Sequence, residues 1–182
     1  MQQAQTTTAK PMAKRAVGKK GTSVQKTAGG SPVADPSVAA QVDGFIDKFD
    51  PSVAKLIRSC RAAMRKRLPT ANELVYDNYN FFVLGYGPTD RPSQAIVSLA
   101  CSKHGVGLAF LYGRTLPDPE HLLLGNGSQT GFIRLASAAT LREPAVEALL
   151  QAAVAQAKAP FAAAGRGQTI VRSISAKQRP RR

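Results

Sequence analysis

Tryptophan is absent from this sequence of 182 residues, cysteine occurs only twice, and no apolar run is long. A membrane-spanning helix needs about 18 or more apolar residues in a row, so the sequence excludes that class of protein. Two cysteines do not make the disulfide framework of a small secreted domain, and no segment has the pattern of a secretory signal. We therefore expect a cytoplasmic protein that does not associate with a membrane.

Acidic residues are scarce towards both ends of the chain. The sequence contains 25 Lys and Arg against 11 Asp and Glu, a net charge of +14. Residues 1–36 contribute +5 and residues 165–182 contribute +6, whereas residues 37–164 contribute only +3. The isoelectric point of about 10.4 therefore describes the two ends of the chain more than its nearly neutral centre.

The same division predicts the domain organisation. Residues 1–36 are rich in small and polar residues and have no aromatic side chain, so they cannot bury enough apolar surface to offset the entropy of ordering. We predict a disordered basic tail there, a folded domain over residues 37–160, and a second basic tail over residues 161–182. Within that second tail, the apolar residues around 170–174 allow one short additional strand.

Hydrophobic periodicity predicts the elements of the folded domain. Two helices come first, one over residues 38–49 and one from Pro51 to about Arg67. Short β-rich segments between residues 73 and 135 predict four or five strands, and helical spacing returns at residues 146–157. Because short turns join the strands, we expect a mostly antiparallel sheet covered by the N- and C-terminal helices, an α+β domain of two layers.

Several segments carry a family resemblance: FIDKFDP at residues 45–51, NELVYDNYN at 72–80, GNGS at 125–128 and FIRL at 132–135. Over residues 40–158 the chain resembles the YdhG-like family of domains of unknown function, which is grouped with frataxin-like (CyaY-like) and YjbR-like folds. The resemblance implies a sheet packed against terminal helices and no general chemistry. One branch is linked to iron delivery through an acidic surface, but the long helix here is basic, which disfavours an iron carrier.

A polar turn after the first strand is one candidate ligand site. Hydroxyl, amide and carboxylate groups at one end of the sheet would form an aromatic-walled recess for a small ligand. The candidate residues are Glu73, Tyr76, Asp77, Asn78, Tyr79 and Arg134. The alternative is a hairpin in which the Asp and Asn side chains bond only to the local backbone.

The basic residues are a second candidate site, for phosphate groups of nucleic acid or for an acidic partner. One face of the second helix is basic, and no acidic residue lies between residues 52 and 67. Phosphate contacts of this kind are independent of base sequence and weaken with salt. The candidates are Lys14, Arg15, Lys19, Lys20, Arg58, Arg61, Arg65, Arg181 and Arg182. The alternative is an ordinary solvated surface.

These features favour a small non-enzymatic binding domain with an unidentified ligand, followed by a nucleic-acid-associated protein. Cysteine catalysis has no supporting signature, since Cys60 lies on the apolar stripe of a helix. The pair Cys101 and His104 supplies too few ligands for a zinc site. We therefore expect no cofactor, no metal and no catalytic residue.

Overall fold

The computed structural model describes residues 36–182, which form a six-stranded sheet and three helices. The helices are α1 (Pro36–Ile46), α2 (Pro51–Arg67) and α3 (Pro144–Ala155), and the strands are β1 (Asn72–Asp77), β2 (Phe82–Gly87), β3 (Val97–Ser102), β4 (Gly105–Phe110), β5 (Gly131–Leu135) and β6 (Thr169–Ile174). The order across the sheet is β5-β4-β3-β2-β1-β6. All neighbouring strands are antiparallel except β1 and β6, which are parallel. The predicted α+β domain with a mostly antiparallel sheet is confirmed.

One hydrophobic core joins the helices to the sheet. The apolar stripe of α2 is buried, as at Ile57 and Met64, and it packs against alternate residues of the strands such as Leu99 and Leu108. The intervening residues of β3 and β4 point to the other side of the sheet, because side chains alternate along a strand. We call that other side the open face; it carries mostly small residues over these two strands. Among residues 36–182, no helix is both long and apolar enough to cross a membrane.

The segment predicted as a second basic tail belongs to the fold instead. Strand β6 lies beside β1, with Ile170 opposite Leu74 and Val171 opposite Val75. The additional strand is therefore confirmed, but the prediction of a separate tail over residues 161–182 is wrong from residue 169 onward. The prediction failed because it treated every basic residue there as solvated, whereas Arg181 is 5% exposed and binds a buried carboxylate.

The entry into β6 is fixed by close backbone packing. The backbone N–H of Gly167 donates to the carbonyl of Pro69 at 2.9 Å, and that of Gln168 donates to the Asn72 side chain at 2.9 Å. Gly167 lies so close to the carbonyl of Ala71 that a side chain there has no room. The start of β6 is thereby held beside the start of β1. The basic tail predicted for residues 1–36 lies, apart from Pro36, outside the described residues.

Candidate functional site

Two carboxylates on β1 organise the charged residues at this edge of the molecule. Glu73 and Asp77 are four residues apart on one strand, so both side chains lie on the face that packs against the helices. Both residues are fully buried. A buried carboxylate is stable only when cations and hydrogen-bond donors surround it, so each of the two must have such partners.

Glu73 binds two arginines of α2. The Arg61 side chain donates from Nε to Oε1 at 3.1 Å and from Nη2 to Oε2 at 2.8 Å, which makes a bidentate pair. Arg65 donates from Nη1 to Oε2 at 3.3 Å. The hydroxyls of Tyr86 and Thr169 donate to the same carboxylate at 3.0 and 2.9 Å. Side chains from α2, β1, β2 and β6 therefore meet at one buried group.

The surroundings keep Glu73 ionised and Tyr86 protonated. Burial alone would raise the pKa of Glu73, but the hydrogen bond and charge of Arg61, together with the charge of Arg65, lower the pKa overall. Burial and the nearby charge of Glu73 hold the pKa of the Tyr86 phenol well above its usual range. The carboxylate thus remains an acceptor and the phenol a donor across the neutral range.

Beside this cluster lies a surface recess of about 350 Å³ that we call the arginine groove. Its lining consists of Ala39, Arg58, Arg61, Ala62, Arg65, Arg166 and Thr169. Residues 58, 61, 62 and 65 lie on one side of α2 because three- and four-residue steps follow a helix face. Arg166 comes from the segment that leads into β6 and has no hydrogen-bond or ion-pair partner in the described part of the chain.

Donor groups remain available in the arginine groove. Nη1 of Arg61, and Nε and Nη2 of Arg65, make no hydrogen bond within residues 36–182, although other atoms of both side chains bind Glu73. Arg58 donates to Asp47 at 2.6 Å. Burial lowers the pKa of Arg61, but the hydrogen bond and charge of Glu73 raise it overall, and the charge of Asp43 adds to that increase. The four guanidinium groups that line the groove therefore face three carboxylates, those of Asp43, Asp47 and Glu73. The groove keeps a net positive charge.

The basic surface continues along α2 beyond the arginine groove. A second recess of about 390 Å³ shares Arg58 with the groove and also includes Lys55 and Arg182. Lys55 and Arg65 are ten residues apart, which corresponds to about 15 Å along a helix axis. The cations therefore form an extended strip along the helix.

Asp77, at the other end of β1, has a different environment. Lys48 Nζ lies 2.5 Å from Oδ2, and Arg181 Nη2 lies 3.1 Å from Oδ1. Arg181 also donates to the carbonyls of Asn78 and Asn80 at 2.6 and 2.9 Å. Its side chain is only 4% exposed, so the C-terminal segment closes this end of the strand.

The structure does not assemble the predicted recess. Arg134 is exposed on β5, at the opposite edge of the sheet from β6, and four strands lie between β5 and β6. Tyr76 lies on the open face, whereas Glu73 and Asp77 face the helices. The prediction assumed that the last strand of the central region would approach the first. Strands β1 to β5 instead pair each with the next in sequence, which separates β1 from β5.

The remaining residues of the polar turn contact the C-terminal segment. Asn78 accepts a hydrogen bond from Ser173 at 3.0 Å. Tyr79 is half exposed, and the guanidinium of Arg179 lies 5.6 Å from the centre of its ring. The alternative prediction, a turn whose Asp and Asn side chains bond only to the local backbone, does not describe these residues either, because both side chains bond to residues distant in sequence.

Three of the predicted phosphate-binding residues, Arg58, Arg61 and Arg65, meet in the arginine groove. Arg181 is buried against Asp77, and Arg182 donates to the carbonyls of Phe49 and Asp47. The other predicted residues, Lys14, Arg15, Lys19 and Lys20, lie outside the described residues.

Sequence reasoning missed Arg166 and treated Glu73 as part of a different site. The available signal was Glu73, which starts an apolar stretch of β1 directly after an arginine-rich helix without acids. A carboxylate in such a stretch needs a cationic partner when it is buried.

Within residues 36–182 no group of three or more His, Cys, Asp or Glu side chains is arranged to hold a metal ion. Both cysteines are buried and free, and burial raises the pKa of Cys60 to about 11. No protein-family model matches the chain, and comparisons with curated proteins and with solved structures also found no match. The resemblance to the YdhG-like family therefore stays a prediction.

Proposed function

We propose that this chain is a non-enzymatic binding domain whose arginine groove binds phosphate groups of an anionic ligand. The observation that supports the proposal most is the convergence of Arg58, Arg61, Arg65 and Arg166 on one recess of about 350 Å³. Guanidinium groups donate parallel hydrogen bonds to phosphate oxygens, and arginine is enriched where such recognition occurs.

Glu73 prepares the groove for binding. The carboxylate fixes the positions of Arg61 and Arg65 through hydrogen bonds of 2.8 to 3.3 Å, so little side-chain entropy remains to be lost when a ligand binds. It cancels only one of the two charges, and both arginines retain unused donors. The hydroxyl of Thr169 already donates to Glu73, so this group supports the arginines and is not poised to attack a ligand.

A second candidate function is association with nucleic acid through its phosphate backbone. The basic strip supports this candidate, because Lys55 and Arg182 extend the cationic surface beyond the groove along α2. A series of phosphates would contact such a strip, and the affinity would fall steeply with salt. An iron carrier is less well supported, since Glu73 and Asp77 are both engaged by cations.

Calorimetric titration of the full chain with inorganic pyrophosphate and with a duplex DNA of 20 base pairs tests the proposal. We expect saturable binding of pyrophosphate that becomes about tenfold weaker in the double variant Arg58→Gln/Arg166→Gln. The matched control is Arg142→Gln, which removes an exposed arginine of the segment after β5 that lines neither the arginine groove nor the second recess. This control should bind pyrophosphate as the unchanged protein does.

The two candidate functions give different results with the duplex. A small anionic ligand predicts tight pyrophosphate binding and weak, strongly salt-dependent DNA binding. A nucleic-acid protein predicts tighter DNA binding, with a salt slope that the double variant reduces by about two. If the double variant and the control bind both probes equally well, the arginine groove is not the binding site.

A further inference from the structure

The open face of the sheet contains a second concave surface that the arginine groove does not explain. It is a trough of about 770 Å³ over β3, β4 and β5, and its lining includes Phe81, Ala100, Ser102, Gly107, Phe132 and Arg134. We infer that this trough binds the bases of a single-stranded nucleic acid. The inference concerns a different face from the arginine groove and does not depend on the function proposed for that groove.

The floor of the trough is flat because its side chains are small. Strand register places Gly107 between Ala100 on β3 and Arg134 on β5, and Ala109 between Ser98 and Phe132. Side chains that are neighbours across paired strands are about 5 Å apart, so these positions form two adjacent rows. Small residues in the middle of both rows leave room for a planar ring to lie on the sheet.

Aromatic rings stand at the two sides of this floor. Phe81, directly before β2, is 46% exposed, although large apolar side chains are usually buried. The ring of Phe132 on β5 extends over Gly107, where a Cβ atom would lie 3.8 Å from it. The two phenylalanines lie three strand spacings apart across the sheet, about 14 Å, and four residues apart along the strands, about 13 Å, so they are about 20 Å from each other. This separation allows each ring to stack on one base of the same strand.

The charge around the trough complements an anionic strand. None of its lining residues is Asp or Glu, whereas Arg134 and His104 are among them. Lys103 adjoins His104 in the exposed turn between β3 and β4. Neither Arg134 nor Lys103 has a hydrogen-bond or ion-pair partner among residues 36–182. Phe81 is exposed and Phe132 is half-buried, and accessible aromatic rings beside free cations are the combination by which sheet surfaces bind single strands.

The same charges disfavour a second copy of this chain as the occupant. Two copies packed face to face would bring the same cations together with no carboxylate in the trough to pair with them. A duplex is also a poor fit, because its bases are stacked inside and cannot reach the phenylalanines. We therefore expect a nucleic acid with unpaired bases to occupy the trough.

The test uses the full chain and a single-stranded DNA of 12 nucleotides that contains 2-aminopurine, whose fluorescence changes when the base stacks. We expect binding with a change in this fluorescence, and binding at least about fivefold weaker for a strand of the same length without bases. Phe81→Ala should weaken binding at least about fivefold and reduce the fluorescence change. The matched control Tyr79→Ala removes an aromatic ring of similar exposure, 49%, outside the trough and should leave both unchanged.

Two further variants distinguish binding in the trough from binding in the arginine groove and from packing of a second copy of the chain. Ala100→Glu places bulk and negative charge on the floor and should abolish binding, with circular dichroism confirming that the variant is folded. Arg58→Gln/Arg166→Gln should retain the fluorescence change, because that double variant alters only the arginine groove. Equal binding of the strand without bases would overturn the inference, as would indifference to Phe81→Ala. A dimer that Ala100→Glu dissociates in sedimentation, without binding of single strands, would show that a second copy occupies the trough.

Discussion

The two ends of β1 present the same chemical group in two different settings. Glu73 and Asp77 are both buried carboxylates on one face of one strand. The cations of Glu73 come from α2, are partly exposed, and keep unused donors that face a recess. Asp77 has two cations: Arg181 of the C-terminal segment is 4% exposed and bonds to the backbone carbonyls around it, whereas Lys48 is 39% exposed.

This difference is the reason that we propose a binding site at the Glu73 end and a structural contact at the Asp77 end. A buried carboxylate whose cations have spare donors at the surface can position those cations for a ligand. At Asp77 the arginine is enclosed and its donors bond to backbone carbonyls, so this contact mainly holds chain segments together, although the second cation, Lys48, is 39% exposed. The ends of β1 should therefore respond differently to the loss of charge.

Removal of the charge of either carboxylate should have the largest effect on the free energy of unfolding. Asp77→Asn leaves the guanidinium of Arg181 buried beside a neutral group, so we expect the free energy of unfolding to fall by about 3–5 kcal/mol. Glu73→Gln should cost less, about 1.5–3 kcal/mol, because Arg61 and Arg65 are partly exposed and can turn towards water. Urea unfolding measures both.

The matched control for these two variants is Asp90→Asn, which alters an exposed carboxylate and should change the free energy of unfolding by less than about 0.5 kcal/mol. Equal losses at Glu73 and Asp77 would contradict the distinction between the two ends of the strand.

Removal of Arg181, the buried cation at the Asp77 end of β1, should lower the free energy of unfolding by a smaller amount. Arg181→Gln removes one ion pair and the bonds to two carbonyls, but Lys48 still neutralises Asp77, so we expect a loss of about 1.5–3 kcal/mol. Lys177→Gln, at an exposed basic residue of the same segment, is the control and should have no measurable effect on unfolding. Pyrophosphate binding by Arg181→Gln should equal that of the unchanged protein, and weakened binding would show that the two ends are coupled.

The smallest expected effect is the dependence on pH of the stabilisation that Glu73 provides. The pKa of Glu73 is lower in the folded chain than in the unfolded chain, so the unfolded chain takes up the proton first as the pH falls. Its stabilising contribution is therefore complete above the ordinary glutamate pKa of about 4.3 and is lost progressively below it. The difference in free energy of unfolding between the unchanged protein and Glu73→Gln should shrink as the pH falls from about 5 towards 2. A difference that stays constant over this range would mean that Glu73 is not held ionised by its arginines.

Local signals predicted much of the fold. Proline at position 51 and helical spacing of apolar residues placed α2 at the residues where it is found, and β-rich segments placed the strands β1 to β5 between residues 72 and 135. Short turns between the strands indicated the antiparallel order. These predictions succeeded because they depend on residues that are close in sequence.

The sites were harder to predict, because they depend on contacts between distant segments. Nothing near Arg61 indicates that its partner is Glu73, and the Arg181 side chain reaches a carboxylate 104 positions earlier in the chain. Arg134 was assigned to the wrong site because the hydrophobic pattern does not give the order of strands in a sheet. The role of Arg166 depends on the parallel pairing of β6 with β1, a pairing that only the folded chain provides.

The amino-acid sequence alone determined the helices, the alternation of the strands and the excess of basic residues, since each follows from local geometry and composition. Only the tertiary structure decided which cations remain available to a ligand. A charge is neutralised by whatever lies a few ångströms away, and the chain brings those neighbours together from far apart in the sequence.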